Sequence, residues 1–185
     1  MRKLLIISVL LFVVCSAGGQ EIEEEAPPVS QRFFFGGNFN LQIGTYTNIE
    51  VAPIVGFWLL PKLAIAAGPS YIYTKDPYFG DTHIFGGRAY LEFLVFRDLD
   101  KFIPVGVHTG LLLHAEDEAL NMNPYEYGSS SIDIGRTTVN TLLAGVGINQ
   151  QIGNRASVNF LVLWALDNSP YYTYSNPVIR IGFQF

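Results

Sequence analysis

From Phe35 onward the chain alternates. In the first run the odd positions carry Phe35, Gly37, Phe39, Leu41 and Ile43, and the even ones Gly36, Asn38, Asn40, Gln42 and Gly44. The same period returns where Ile49, Val51, Pro53, Val55, Phe57 and Leu59 oppose Glu50, Ala52, Ile54, Gly56 and Trp58. A third run sets Leu63, Ile65, Ala67, Tyr71 and Tyr73 against Ala64, Ala66, Gly68 and Ser70. A fourth sets Phe85, Leu91, Phe93 and Val95 against Gly86, Arg88, Tyr90 and Glu92. Successive side chains of a strand point to opposite faces, so a period of two predicts β-structure.

Four more runs follow. Val105, Val107, Thr109, Leu111 and Leu113 oppose Gly106, His108, Gly110 and His114. The sixth, near Thr138 to Gln150, fits either phase; we favour Leu142, Ala144, Val146 and Ile148 outward, with Gly145, Gly147 and Asn149 inward. The seventh has Val158, Phe160, Val162, Trp164 and Leu166 against Ser157, Asn159, Leu161 and Leu163. The eighth, PVIRIGFQF, has Ile179, Ile181, Phe183 and Phe185 against Arg180, Gly182 and Gln184. Eight strands with one continuously apolar face and one small or polar face predict an all-β protein. Its expected form is an eight-stranded antiparallel up-and-down transmembrane β-barrel.

The longest apolar stretch, VAPIVGFWLLPKLAIAA, is broken by Pro53 and by Pro61-Lys62, which argues against a buried helical hairpin. A soluble lipocalin-like barrel or a sandwich is the alternative. A sandwich would lock its large apolar residues between two sheets and wet its polar face. Here the minority face is rich in Gly, Ala and Asn, as the narrow interior of an eight-stranded barrel requires. The connections agree. Pro61-Lys62, Arg97 to Lys101 and Gly153 to Arg155 read as short turns, alternating with longer loops at Lys75 to Thr82, Glu116 to Gly135 and Asn168 to Asn176. Thr45 to Asn48 is the one short hairpin at the long-loop end.

Composition places the chain in a compartment. Arg2 and Lys3 precede the apolar run Leu4 to Val14, and Cys15-Ser16-Ala17 offers small residues for cleavage, so residues 1–19 read as a secretory signal peptide. The run is too short for a transmembrane helix. Val13-Val14 lacks the small residue that lipidation of Cys15 would want. Cys15 is the only cysteine, so no disulfide supports the mature chain. Residues 20–31, with Glu21, Glu23, Glu24 and Glu25 before Ala26-Pro27-Pro28, read as an acidic disordered leader, leaving 32–185 for the barrel. The formal charge of -5 becomes more negative once Arg2 and Lys3 are removed, which does not suit a nucleic-acid partner.

The signal peptide, the segment GGNFNLQIGTYTNIEVAPIVGFWLLPKLAIAAGPSYIYTKD, the run NRASVNFLVLWALDN and the terminal VIRIGFQF resemble the small eight-stranded outer-membrane β-barrel proteins of Bacteroidota. The resemblance spans nearly all of the mature chain. It implies an outer-membrane barrel inserted by the barrel-assembly machinery, with Ile181, Phe183 and Phe185 as the assembly signal. Members of such families mostly have no assigned activity, so it bears on location more than on function.

The candidate chemistry lies on the inner face. Glu50, Arg88, Glu92 and Arg180 all point there, and ionised groups inside a membrane barrel must pair or meet water. A lumen ion-pair network is therefore expected. Counted from the near strand ends, Glu92 and Arg180 lie at similar depth and form the expected closest pair; Arg88 is higher and Glu50 is near the outer end. Such a network can plug and specify the barrel, or act as a gate in a narrow conduit. A wide pore is excluded, because side chains fill so small a barrel.

His108 and His114 share a face but lie roughly 20 Å apart along it, too far for one metal ion. Ser70 with His83 and Asp81, or His114 with Ser129, could be proposed for lipid acyl transfer at the rim. Neither has a motif behind it, so no catalytic residue, metal or cofactor is expected. In the loop Glu116 to Gly135, the carboxylates Glu116, Asp117, Glu118, Glu126 and Asp133 suit a solvated acidic segment; the alternative is divalent cations bridging it to lipopolysaccharide. Tyr71, Tyr73, Tyr78, Tyr125, Tyr127, Tyr171, Tyr172 and Tyr174 cluster at the outer end. They could form a sugar- or peptide-binding surface; for Tyr71 and Tyr73 an aromatic girdle is favoured.

The expected protein is a small outer-membrane barrel with a plugged, charge-paired lumen, structural, adhesive or accessory to a larger envelope complex. Its expected partners are outer-membrane lipid, lipopolysaccharide, the assembly machinery and that complex. A narrow channel for small or apolar solutes and a lipid-modifying enzyme are the alternatives.

Overall fold

Each alternating segment becomes a strand that pairs with its neighbour in sequence. The computed structural model describes residues 28–42, 47–77, 80–101, 109–123, 135–152, 156–166 and 176–185. Its strands are β1 (Phe33–Gln42), β2 (Thr47–Leu60), β3 (Leu63–Asp76), β4 (Gly80–Phe96), β5 (Thr109–Met122), β6 (Thr137–Gln151), β7 (Ser157–Ala165) and β8 (Val178–Gln184). They form one closed antiparallel barrel in sequence order, which rules out a sandwich. Helix among the described residues is limited to the 3-10 turns Val29–Gln31 and Leu99–Lys101. The barrel closes where Gly36, Gly37 and Asn38 face Gln184, Phe183 and Gly182. Beyond them Phe35 and Phe185 exchange both backbone hydrogen bonds, at 3.1 and 2.7 Å.

The expected phases hold through the described strands apart from two end positions: Thr109, expected outward, is buried, and Asn40, expected inward, is exposed. Phe35, Ile179 and Phe185 are 61%, 72% and 65% exposed, while Arg180, Gly182 and Gln184 turn inward. The sixth strand takes the favoured phase, with Leu142, Val146 and Ile148 outside and Gly147 buried. The near end of the barrel carries the Pro61-Lys62 turn, the start of β1 and the end of β8.

Strand limits differ from expectation. The loop expected at Lys75 to Thr82 is mostly strand: Thr74 faces Thr82 and Lys75 faces Asp81, opposite charges directly across the ladder. Gly80, at φ 81°, makes the tight return. The loop expected from Glu116 begins only after Met122, because β5 pairs with β6 as far as Met122↔Thr137. Thr47 and Asn48, expected in a hairpin, already belong to β2. The signal peptide, most of the acidic leader, Val105 to His108, the turn 153–155 and most of the two long loops lie outside the described residues.

The inner face was expected to be small or polar, yet large apolar residues fill much of it. Phe34, Ile54 and Tyr90 cluster with Ala64 and Ala66. Leu112, Leu143, Leu161, Leu163 and Val178 line the opposite wall. Ile72, Ile84, Leu120, Met122 and Val139 fill the far end. A lumen that admits little water needs apolar filling wherever no charge pair is present. Gly56 shows how close the fit is, since a Cβ there would lie 2.0 Å from Cζ of Phe34. Gly56→Val should therefore cost about 1–3 kcal/mol through overpacking. Chemical denaturation checks this, and the double variant Gly56→Val/Phe34→Leu should recover most of the loss.

Candidate functional site: the ion-paired lumen

The inner face of β5 brings the site together. His114, Glu116 and Glu118 occupy three successive inward positions and are each almost wholly buried. Arg88 on β4 is directly in register with Glu118, and Glu92 with His114. Glu50 reaches in from β2 and Arg180 from β8. Strands at different places around a narrow barrel thus aim their charges at one axis.

The two guanidinium groups divide the carboxylates between them. Arg88 Nη2 donates to Glu50 Oε1 at 2.5 Å and to Glu118 Oε1 at 2.6 Å, and its Nε is 3.9 Å from Glu116 Oε1. Arg180 donates from Nη1 to Glu116 and from Nη2 to Glu118 Oε2, the latter at 3.1 Å. Glu118 therefore receives one arginine on each oxygen. His114 extends the chain, with Nε2 3.2 Å from Glu116 and Nδ1 3.5 Å from Glu92. Tyr90 packs on that ring, with centroids 4.6 Å apart.

Glu92 belongs to a different part of the network from the one expected. Its acceptor sites are taken by Asn159 Nδ2 at 3.3 Å and Gln184 Nε2 at 3.5 Å, and it faces His114 rather than Arg180. The expected Glu92–Arg180 pair is replaced by Arg180 with Glu116 and Glu118. Strand stagger is the reason. The hydrogen-bonded row Gly110, Asn149, Asn159, Gly182, Asn38, Ala52 starts near the edge of β5 and ends midway along β2. Equal counts from strand ends are therefore unequal heights in a tilted barrel.

Of the four expected members, Glu50 and Arg88 meet directly, and Glu92 and Arg180 join through His114 and Glu116. Glu116 and Glu118, expected in a solvated loop, are instead central. Their strand was hidden because the outward positions beside them, Ala115, Asp117, Ala119 and Asn121, supply no apolar alternation. A divalent-cation loop built on Glu116, Asp117 and Glu118 is excluded by their place in β5; Glu126 and Asp133 lie outside the described residues.

The rim constellation also comes apart. Ser70 points into the barrel, whereas His83 is on the outer surface, its Nδ1 2.8 Å from Tyr71 Oη. The sheet separates the two. His114 is enclosed in the lumen, and Ser129 lies outside the described residues. Outside, Tyr71, Tyr73, His83 and Phe85 stack into one aromatic patch near the far rim.

Fold and site together define a small closed eight-stranded β-barrel whose inner face carries apolar clusters and a buried ionic core. Comparison with known proteins adds no relative: the chain matches no family model and no curated protein.

Removing one partner from a buried charge cluster leaves the other charges uncompensated, at about 3–5 kcal/mol. Arg180→Ala is expected to lose that much in denaturant unfolding. Ile179→Ala, one residue away on the outer face, should lose far less.

Proposed function

We propose that this protein is a small outer-membrane β-barrel of the kind found in Bacteroidota, serving a structural or accessory role in an envelope complex without conducting solutes. The observation that carries this reading is the inversion of its surfaces. Phe35, Phe39, Val55, Leu91, Leu142, Phe160 and Ile181 face outward and exposed, while Glu50, Arg88, Glu116, Glu118 and Arg180 are buried. Soluble monomers rarely expose contiguous apolar patches beyond a few hundred Å². A bilayer covers such a band, and a closed barrel leaves no unpaired edge in it. Polar and aromatic residues flank the band, with Tyr71, Tyr73 and His83 near one rim and Arg97 at the other. The accessory role is supported by the apolar clusters and the ionic core, which occupy much of the lumen among the described residues.

Two measurements test this. The full chain, produced in a Gram-negative host, should fractionate with the outer membrane and shift its gel mobility on boiling in SDS. Reconstituted in planar bilayers, it should give no conductance steps. A protein recovered from the soluble fraction, or one showing regular steps, would remove the location or the plugged role respectively.

The assembly signal has its own variant. Phe185→Ala keeps the backbone hydrogen bonds to Phe35 but removes the terminal ring. If Phe185 is read by the assembly machinery, this variant should show several-fold less protein in the outer membrane, yet refold in detergent as the parent does. Equal amounts in the membrane would refute the signal role.

A further inference from the structure

The near end of the barrel opens into a cavity of about 350 Å³. Phe34, Trp58 and Glu92 line its inner part, while Arg32 and Arg97, just outside β1 and β4, line its rim. This is the near-end approach to the ionic core, because Glu92 in its wall faces His114.

The cations of the chain collect at this end. Of the 11 Lys and Arg residues, Arg2 and Lys3 belong to the signal peptide, Arg88 and Arg180 to the core, and Lys75 and Arg136 to the far end. Arg32, Lys62, Arg97 and Lys101 stand at the near end, with Arg155 in the turn between β6 and β7. The acids placed there are Asp98, Asp100 and the C-terminal carboxylate of Phe185. Positive charge is therefore in surplus. The leader has the opposite sign: Glu21, Glu23, Glu24 and Glu25 fall within five residues, and no Lys or Arg occurs between Lys3 and Arg32.

The point where the leader joins the barrel is fixed at the mouth. Gln31 N–H donates to Pro28 O at 2.8 Å, and Trp58 N–H donates to Arg32 O at 2.9 Å. Gln31 itself lines the cavity. Residues 20–27 lie outside the described residues. Their eight residues reach up to about 26 Å when extended, enough to cross the mouth of so narrow a barrel.

We propose that the acidic leader folds back across this mouth and closes it, with its glutamates held by Arg32 and Arg97. Charge and placement select this occupant. Arg32 and Arg97 line the cavity, whereas lipid headgroups would meet the outer wall. The tether also holds the leader at a high effective concentration, so ion pairs that are individually weak suffice. Closure dries the approach to Glu92 and strengthens the core behind it.

Trp58 reports on the mouth from within. The chain from Gln20, carrying the outer-face change Trp164→Phe so that Trp58 is its single tryptophan, is refolded in zwitterionic detergent micelles and quenched with acrylamide. At low salt the parent should be quenched roughly twofold less than Glu21→Gln/Glu23→Gln/Glu24→Gln/Glu25→Gln, as a weak but tethered contact allows. Arg32→Gln/Arg97→Gln should be quenched like the leader variant. About 1 M NaCl should remove the difference, because it shortens the Debye length to about 3 Å. Equal quenching of parent and leader variant at low salt, or protection that survives the arginine variant or the salt, would overturn the proposal. Protection that rises with protein concentration would assign the mouth to the leader of a second copy. Protection found only on vesicles containing phosphatidylglycerol, in parent and leader variant alike, would assign the rim to lipid. Either result overturns it as well. A chain that folds without detergent would refute the outer-membrane reading, while the same quenching still judges the leader.

Discussion

The two hydrogen bonds between Phe35 and Phe185, with the three residue pairs beside them, turn a meander into a closed wall. Closure leaves no unpaired edge and limits the interior to a width that side chains fill. Every inward residue must then fit against whatever stands opposite, whichever strand it comes from. For the same reason charges from β2, β4, β5 and β8 come within hydrogen-bonding reach although they are far apart in sequence. An open sheet would let those side chains turn to solvent.

Burial makes the ionic core both costly and strong. Ions removed from water lose several kcal/mol each, which their mutual attraction offsets only with good geometry and satisfied oxygens. Here Glu118 accepts from both arginines, and Glu92 accepts from Asn159 and Gln184. Apolar layers raise the strength of these contacts by excluding water. Leu120 is the next inward residue beyond Glu118 on β5, and with Ile72, Ile84, Met122 and Val139 it closes the far side. A wetter lumen would weaken the pairs, so apolar filling and pairing depend on one another.

The architecture was largely legible because a two-residue period needs no tertiary information. Strand number and facing followed from it, as did the inward positions of Glu50, Arg88, Glu92 and Arg180. The pairing among those residues was not legible. It depends on stagger between strands, which tilt and closure fix together, and that is why Arg180 meets Glu116 and Glu118 rather than Glu92. The end of β5 was lost for a different reason. In AEDEALNM, polar residues fall on both faces, and a strand whose outer face is Ala, Asp, Ala and Asn reads as loop. Only its partners, the long β4 and β6, declare it. Ser70 and His83 fall on opposite faces of the sheet, which removes the pairing proposed for them at the rim.

Glu116, Asp117 and Glu118 show what alternation does with three consecutive carboxylates. Two turn inward to arginines and one turns outward to a small-residue groove. A register slip of one residue in β5 would reverse all three. It would place two carboxylates on the apolar outer surface and leave Arg88 and Arg180 with a single acid between them on that strand. The same slip would send Leu120 and Met122 outward and bring Asn121 into the apolar end of the lumen. The Glu-Asp-Glu triplet therefore sets the register of the strand at the centre of the site, with the outward Asp117 as the residual cost of that choice.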